Sequence, residues 1–198
     1  MVYNQQQTNE AQPAKKHILA ALVENKPGVL NRVASLFRRR NFNVDSLTVG
    51  RTHKPHISRM TITIDATRGD ANRIKANLEK LINVIDVANV SNEPHVSRDL
   101  ALVKVRSDDA DSRNELTEVC ERYPARIVDI GPKVAIVEIT AQEDIVEAFI
   151  QAVAPIGIVE LVRTGVVAMG RGVRILDSDY EPVLPTAASK NGSALHIV

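Results

Sequence analysis

One short stretch of this chain has the residue types to hold a small zwitterion: Asn25-Lys26-Pro27-Gly28. Glycine permits a left-handed backbone and a close ligand approach, and proline fits the first turn of a helix. A helix starting there presents unpaired N–H groups and its positive dipole end, a seat for a carboxylate. The Asn25 side-chain amide can donate to a carboxylate or accept from an ammonium group. Asn43, after the helix, is a second amide that can return to the same end of the domain. A helix-capping turn with nothing bound is the plainer reading, and on spacing alone it is favoured.

Other chemistry-bearing residues do not assemble. Pro55 breaks the spacing of His53 and His56, and no Cys or carboxylate nearby completes a metal shell, so His53-Lys54-Pro55-His56 reads as a hairpin loop. Asp108, Asp109 and Asp111 lack the spacing, glycine and terminal glutamate of a calcium loop. Cys120 falls on an apolar helical stripe and reads as core. The serines of the first half have no His-plus-acid constellation, and Gly170-Arg171-Gly172 is too short for a dinucleotide fingerprint. Arg38-Arg39-Arg40 complements a helix C-terminus. Neither a catalytic nor a metal site is expected.

Composition narrows the class. The chain has 198 residues, 44% hydrophobic, 25% charged and only 3% aromatic, with a net charge of +1. The first two values are globular, whereas the last two remove the stacking platforms and basic footprint of nucleic-acid binding. No apolar run approaches the roughly 20 residues that span a bilayer, and the Gln-rich start lacks the regions of a signal peptide. One cysteine permits no intrachain disulfide, so a reducing, cytoplasmic setting is expected.

The elements that must position the turn read as a repeat. Residues 1–16 are polar and Gln-rich, an expected disordered arm. From His17, a strand over 17–24 leads through the turn to a helix with Val29, Val33, Leu36 and Phe37 on one stripe. Strands follow over 43–51 and around 59–65, where Met60, Ile62 and Ile64 alternate with Arg59, Thr61, Thr63 and Asp65, one dry face and one wet. Gly69-Asp70 opens a helix facing Ile74, Leu78, Leu81 and Ile82 inward, and a strand over 84–91 closes the unit.

After Glu93-Pro94-His95 the same order returns. A strand over 99–106 precedes a helix with Leu116, Val119, Cys120 and Tyr123 inward and a capping-box pair, Ser112 and Glu115. Strands over 126–131 and 133–140 flank Gly131-Pro132. A second capping pair, Thr140 and Glu143, opens a helix carrying Ile145, Phe149, Ala152 and Val153, and a strand over 158–168 finishes. The expected fold is α+β, two tandem ferredoxin-like βαββαβ domains over 17–91 and 98–173, with a polar tail over 174–198. The second repeat replaces the first turn by Ser107-Asp108-Asp109-Ala110-Asp111, whose carboxylates would repel an anionic ligand.

Three stretches together resemble a known family: His17 to Leu19 and Glu24 to Leu30, Asn43-Val44-Asp45-Ser46-Leu47-Thr48-Val49, and Ser58-Arg59-Met60-Thr61-Ile62. With Arg163-Thr164-Gly165-Val166-Val167 and Arg171-Gly172, they are similar to the small, regulatory subunit of acetolactate (acetohydroxyacid) synthase over about 17–173. The turn alone indicates only an ACT-type amino-acid-binding domain. The resemblance implies a non-catalytic subunit that activates its catalytic partner and transmits feedback inhibition in branched-chain amino acid biosynthesis. It implies that the ACT domain pairs in a homodimer, or a higher homo-oligomer, with valine or a related branched-chain amino acid between copies. The family's ligand residues map to Asn25, Gly28 and Asn43, beside the backbone of Val29 and Leu30. Val29, Leu30 and Val44 would supply apolar contact for the effector's side chain. No cofactor is implied in this chain; thiamine diphosphate, magnesium and FAD belong to the catalytic subunit. The Gln-rich arm and the polar tail depart from the family pattern. A free-standing ACT sensor of another pathway would be marked by a DNA-binding segment, and a ferredoxin-like enzyme by an acid–base or metal constellation; neither is visible.

Overall fold

The computed structural model describes residues 16–65, 70–172 and 176. Gly69, the expected arm up to residue 15, and the expected tail apart from Leu176 lie outside them. Two split β-α-β units are present, as the residue pattern requires. The first runs β1 (Lys16–Glu24), α1 (Val29–Arg40), β2 (Val44–Arg51), β3 (Ile57–Asp65), α2 (Ala71–Leu78) and β4 (Val84–Asn89). Its antiparallel sheet has the order β2-β3-β1-β4. The second runs β5 (His95–Arg106), α3 (Ala110–Arg122), β6 (Ala125–Ile130), β7 (Val134–Ala141), α4 (Glu143–Val153), β8 (Ile158–Arg163) and β9 (Val167–Gly170). Its strands follow the order β6-β7-β5-β8, with β9 paired to the early part of β5.

Period decides which residues enter each core. Alternate strand residues Leu19, Ala21, Val23, Met60, Ile62 and Ile64 meet the helical stripe Val29, Val33, Leu36 and Phe37. In the second unit Val103, Val105, Val137 and Ile139 meet Leu116, Val119, Cys120, Phe149 and Val153. Asn41, in the left-handed region, ends α1 behind Arg38, Arg39 and Arg40. Asp70 caps α2 by accepting the Asn72 N–H.

Several expectations shift. α2 ends at Leu78, so Ile82 lies past it and is 87% exposed rather than inward. On α4 the buried stripe is Val146, Phe149, Ile150 and Val153, while Ile145 is 37% exposed. Its register is one residue off the expected one because the helix is apolar on adjacent positions. Thr140 belongs to β7, and the α4 N-cap is Gln142 with no side-chain bond. The α3 capping box is Asp109 with Ser112, not Ser112 with Glu115. The strand expected over 158–168 breaks at Thr164-Gly165 into β8 and β9.

That break produces the largest correction. Thr61 and Thr63 point away from the helices yet are 3% and 1% exposed, so the expected wet face of β3 is dry. The cover is a strap, residues 164–168, that leaves β8 and runs into the start of β9. Val166 and Ala168 pack on Ala20 and Val90 of the first unit. The Thr48 hydroxyl donates to the Thr164 carbonyl at 3.0 Å, and Arg59 donates to the Ala168 carbonyl at 2.8 Å. Gly165 has φ +77°, and a Cβ there would sit 2.7 Å from the Ser46 Cβ. Only glycine fits this crossing. At its start, Arg163 bonds Asp99 on β5, and Lys16 reaches Glu143 at 2.6 Å across the two units.

The Asp109 cap carries a pH signature. The Ser112 backbone N–H, then the Ser112 side chain, hold its carboxyl below the ordinary value. Its stabilising contribution is therefore present above the unfolded pKa and is lost as pH falls through the lower folded value. Asp109→Ala should lower the thermal midpoint at pH 7, and the gap to wild type should close in acid below about pH 4, near the carboxylate's free value. Melting curves of both chains across that range test this. A gap that persists unchanged in acid contradicts it.

Candidate functional site

The expected turn is built and braced. β1 delivers Glu24, whose N–H bonds the Asn83 carbonyl, and Asn25 follows with its N–H on the His56 carbonyl at 2.7 Å. The Asn25 side chain donates to the Pro55 carbonyl at 3.0 Å, tying the turn to the β2–β3 loop. Lys26, then Asn83, donate to the Glu24 carboxylate and hold its pKa below the ordinary value. Arg32 on α1 completes the brace by donating to the Asn83 side chain. Arg32 and Asn83 escaped sequence reasoning, and nothing in it tied Glu24, Pro55 or His56 to a brace of the turn, since no motif links them across the fold.

Gly28 is the α1 N-cap, at φ +84°, with no side-chain capping bond. A Cβ there would meet nothing within 4 Å, so the space above the helix end is open. Val29 N–H makes one long contact to the Lys26 carbonyl at 3.4 Å. The N–H groups of Leu30 and Asn31 have no partner among the described residues. The other helices solve this problem internally. Asp70 and Asp109 cap α2 and α3, and Glu143 and Asp144 fill the first turn of α4. Among the helices of the described residues, only α1 has neither a side-chain cap nor an acidic first turn. Its N-terminus is an open seat for a carboxylate.

Asn25 and Gly28 are exposed at this seat, and Leu30, 46% exposed, is its apolar wall. Val29 is 4% exposed and packs into the core, leaving only its backbone there. Asn43 and Val44 stand elsewhere. In the sheet register Glu24 opposes Ile57 and Arg51 opposes Ser58, whereas Val44 opposes Ile64. β2 therefore starts at the end of the sheet opposite the turn, one helix length away, about 18 Å for twelve residues. Within one chain Asn43 does not return to the end that holds Asn25. A β-α-β crossover returns the chain to its starting end before the next parallel strand begins.

The remaining candidates are structural. His53 and His56 sit in the β2–β3 loop, closed by Thr52 N–H on the Ile57 carbonyl. Among the described residues no three His, Cys, Asp or Glu side chains gather to hold a metal. Cys120 is buried, and burial pushes its thiol pKa up. No helix in the described residues is long and apolar enough to cross a membrane.

Residues 98–172 match the family model described as the small subunit of acetolactate synthase, and residues 19–86 match an AHAS small subunit-like ACT domain. A probable acetolactate synthase small subunit of Archaeoglobus fulgidus is 47% identical over 157 residues, 79% of this chain and 98% of that protein. The acetolactate synthase small subunit of Mycolicibacterium smegmatis is 42% identical over 158 residues, 80% of this chain and 92% of that one. The crystal structure of the Thermotoga maritima small subunit superposes with a TM-score of 0.73 at 38% identity, covering 80% of this chain and 98% of that one.

Proposed function

The chain belongs to the acetolactate synthase small-subunit family, and from that membership we propose a non-catalytic subunit that activates a catalytic partner and makes it sensitive to a branched-chain amino acid. The observation that carries the reading is the uncapped N-terminus of α1. A free amino acid brings the carboxylate that the Leu30 and Asn31 N–H groups lack, and its aliphatic side chain finds Leu30. The second unit offers no equivalent, because Asp109 already occupies the N-terminus of α3. Valine, leucine and isoleucine differ by a methylene or its placement, a distinction worth only about 1–3 kcal/mol.

The separation of Asn43 from Gly28 supports a dimeric site. β2 is an edge strand, and edge strands are paired or covered in stable assemblies. If two copies pair through β2 about a twofold axis, the strands run antiparallel. The partner's Asn43 then lies at the end of the sheet that carries Asn25 and Gly28. An effector seated there touches both protomers, so it can bias their packing, and coupling of about 1–3 kcal/mol is typical of such regulation. Thiamine diphosphate, magnesium and FAD are assigned to the catalytic subunit, and the complex to the cytoplasm.

Reconstitution tests the reading. The chain alone, supplied with pyruvate and those cofactors, should form no acetolactate. Added to a cognate catalytic subunit, it should raise the rate and make that rate fall with valine. Turnover by the rigorously purified chain, or a mixture indifferent to every branched-chain amino acid, would overturn it.

A further inference from the structure

β2 carries one residue more than its ladder needs. Val44 opposes Ile64 and Ser46 opposes Thr63, so Asp45 between them is a bulge against β3. Bulges at sheet edges re-aim a side chain. Here the Asp45 carboxylate lies 3.5 Å from the Lys16 ammonium, which also meets Glu143, the first residue of α4, at 2.6 Å. Burial opposes the Lys16 charge, but Glu143, and then Asp45, outweigh it and raise its pKa. One lysine of β1 thus joins the start of β2, beside Asn43, to a helix of the other unit. A second junction lies further along the same strand. The Thr164 carbonyl accepts from the Thr48 hydroxyl, and the Thr164 hydroxyl accepts the Leu100 N–H at 3.2 Å. Its neighbour Arg163 pairs with Asp99 and, at 3.1 Å, with Glu147 of α4. Both routes end on α4, and Glu143 and Glu147, at i and i+4, share one face of that helix.

We infer, resting on the effector seat proposed above, that Lys16 and Thr164 couple that seat to α4. A ligand bound beside Asn43 shifts β2, and the second unit answers through Glu143 and Glu147. β2 is an edge strand, held by the ladder on one side, and the bulge interrupts that ladder next to Asn43. Its start is therefore the part of the first sheet that moves at least cost. Lys16 shares one ammonium between Asp45 and Glu143, so a displacement of Asp45 alters its hold on α4. A ligand moves such an element only by as much as it favours one arrangement over the other. The ion pairs of Lys16 and Glu147 are partly exposed, and pairs of that kind are weak enough for an effector to redistribute.

Hydrogen exchange on the full chain, read by mass spectrometry with and without saturating valine, tests this beside calorimetry. In wild type, valine should change the exchange of amides in the first half of α4 by about five-fold, the low end of usual coupling factors. In the double variant Lys16→Met, Thr48→Val that response should disappear, while valine affinity stays within about five-fold of wild type. Glu143→Gln, at the far end of the first junction, should weaken the response by itself. Lys16→Arg keeps the charge and should retain it. Lys104→Met, which breaks a 2.6 Å pair with Glu160 away from β2, should retain it too. If wild type binds no valine, the effector reading falls and the coupling with it. If wild type binds valine while α4 exchange stays unchanged, the coupling alone is overturned. A double variant that responds like wild type, or a Lys104→Met chain that loses the response equally, overturns it as well. Loss of valine binding in the double variant would also overturn it, by making Lys16 and Thr48 supports of the seat and not links from it.

Discussion

Arg163→Met is expected to lower the unfolding free energy by about 3–5 kcal/mol, the range for removing one member of a buried ion pair. Asp99, at 1% exposure, receives the Arg163 Nη2 at 2.5 Å and Nε at 2.9 Å. Desolvation opposes the guanidinium's charge, but Asp99, and then Glu147, outweigh it and raise the Arg163 pKa. Without the arginine, the side-chain contact left to Asp99 among the described residues is the Thr164 hydroxyl at 3.5 Å. A buried charge stripped of its partner pays full desolvation, and methionine fills the volume without replacing a donor. For a chain this size the loss corresponds to a fall in midpoint of roughly 6–20 °C. Glu147→Ala should cost under about 1 kcal/mol, since that carboxylate is half exposed and its pair is a surface one. Urea denaturation of the three chains separates these outcomes. An Arg163→Met chain within about 1 kcal/mol of wild type would show that Asp99 finds another partner.

The consequence extends beyond one pair, because Arg163 starts the strap that dries the outer face of the first sheet. Here the sequence was hardest to read. Thr61 and Thr63 alternate with Met60 and Ile62 in the pattern of a half-wet strand, and threonine suits either environment. Their cover comes from Val166 and Ala168, far along the chain, where Arg59 and Ala168 are separated by 109 positions. No local period reports such a contact. The break was marked by Thr164-Gly165, but apolar residues on both sides of it, Leu161-Val162 and Val166-Val167-Ala168, hid it. Legibility was high where one element decides its own geometry. The α1 stripe, the Asp70 cap and the order of both units follow from period and turn residues alone. It fell where neighbours compete. Asp109 and Ser112 are both capable caps three residues apart, and Ile145 and Val146 both suit an inward position. The seat itself was legible as a turn, while its openness depended on an absence, the lack of any cap, that only the folded turn displays. The place of Asn43 was legible in principle, since a strand–helix–strand crossover fixes it at the far end.

Gly28→Asp is expected to weaken valine binding by about a hundred-fold, roughly 2.7 kcal/mol. The site is open, so no clash with the fold is involved. Two other effects act. A non-glycine residue at φ +84° carries backbone strain of about 1–2 kcal/mol. An aspartate at an N-cap can also accept from the Leu30 and Asn31 N–H groups, filling the seat that the effector's carboxylate would take. Asn43→Ala should cost about ten- to a hundred-fold through the loss of one polar contact. Both variants should still activate the catalytic subunit, since neither residue lies on the second unit or the strap. Asp109→Ala should leave valine sensitivity near wild type despite its weaker α3, and Asp108→Ala, which leaves the cap intact, is the cleaner control. Calorimetric titration with valine, beside inhibition curves of the reconstituted enzyme, measures all four. The dimeric geometry adds a sharper test. If each site takes Gly28 from one protomer and Asn43 from the other, a mixed dimer of the two defective chains contains one intact site and one doubly damaged site. Mixing Gly28→Asp with Asn43→Ala chains should therefore restore tight valine binding at about half of the sites in mixed dimers, as twofold symmetry requires. If Gly28→Asp binds valine normally, the effector does not sit on α1. If both single variants fail and mixing restores nothing, Gly28 and Asn43 do not meet across a twofold axis.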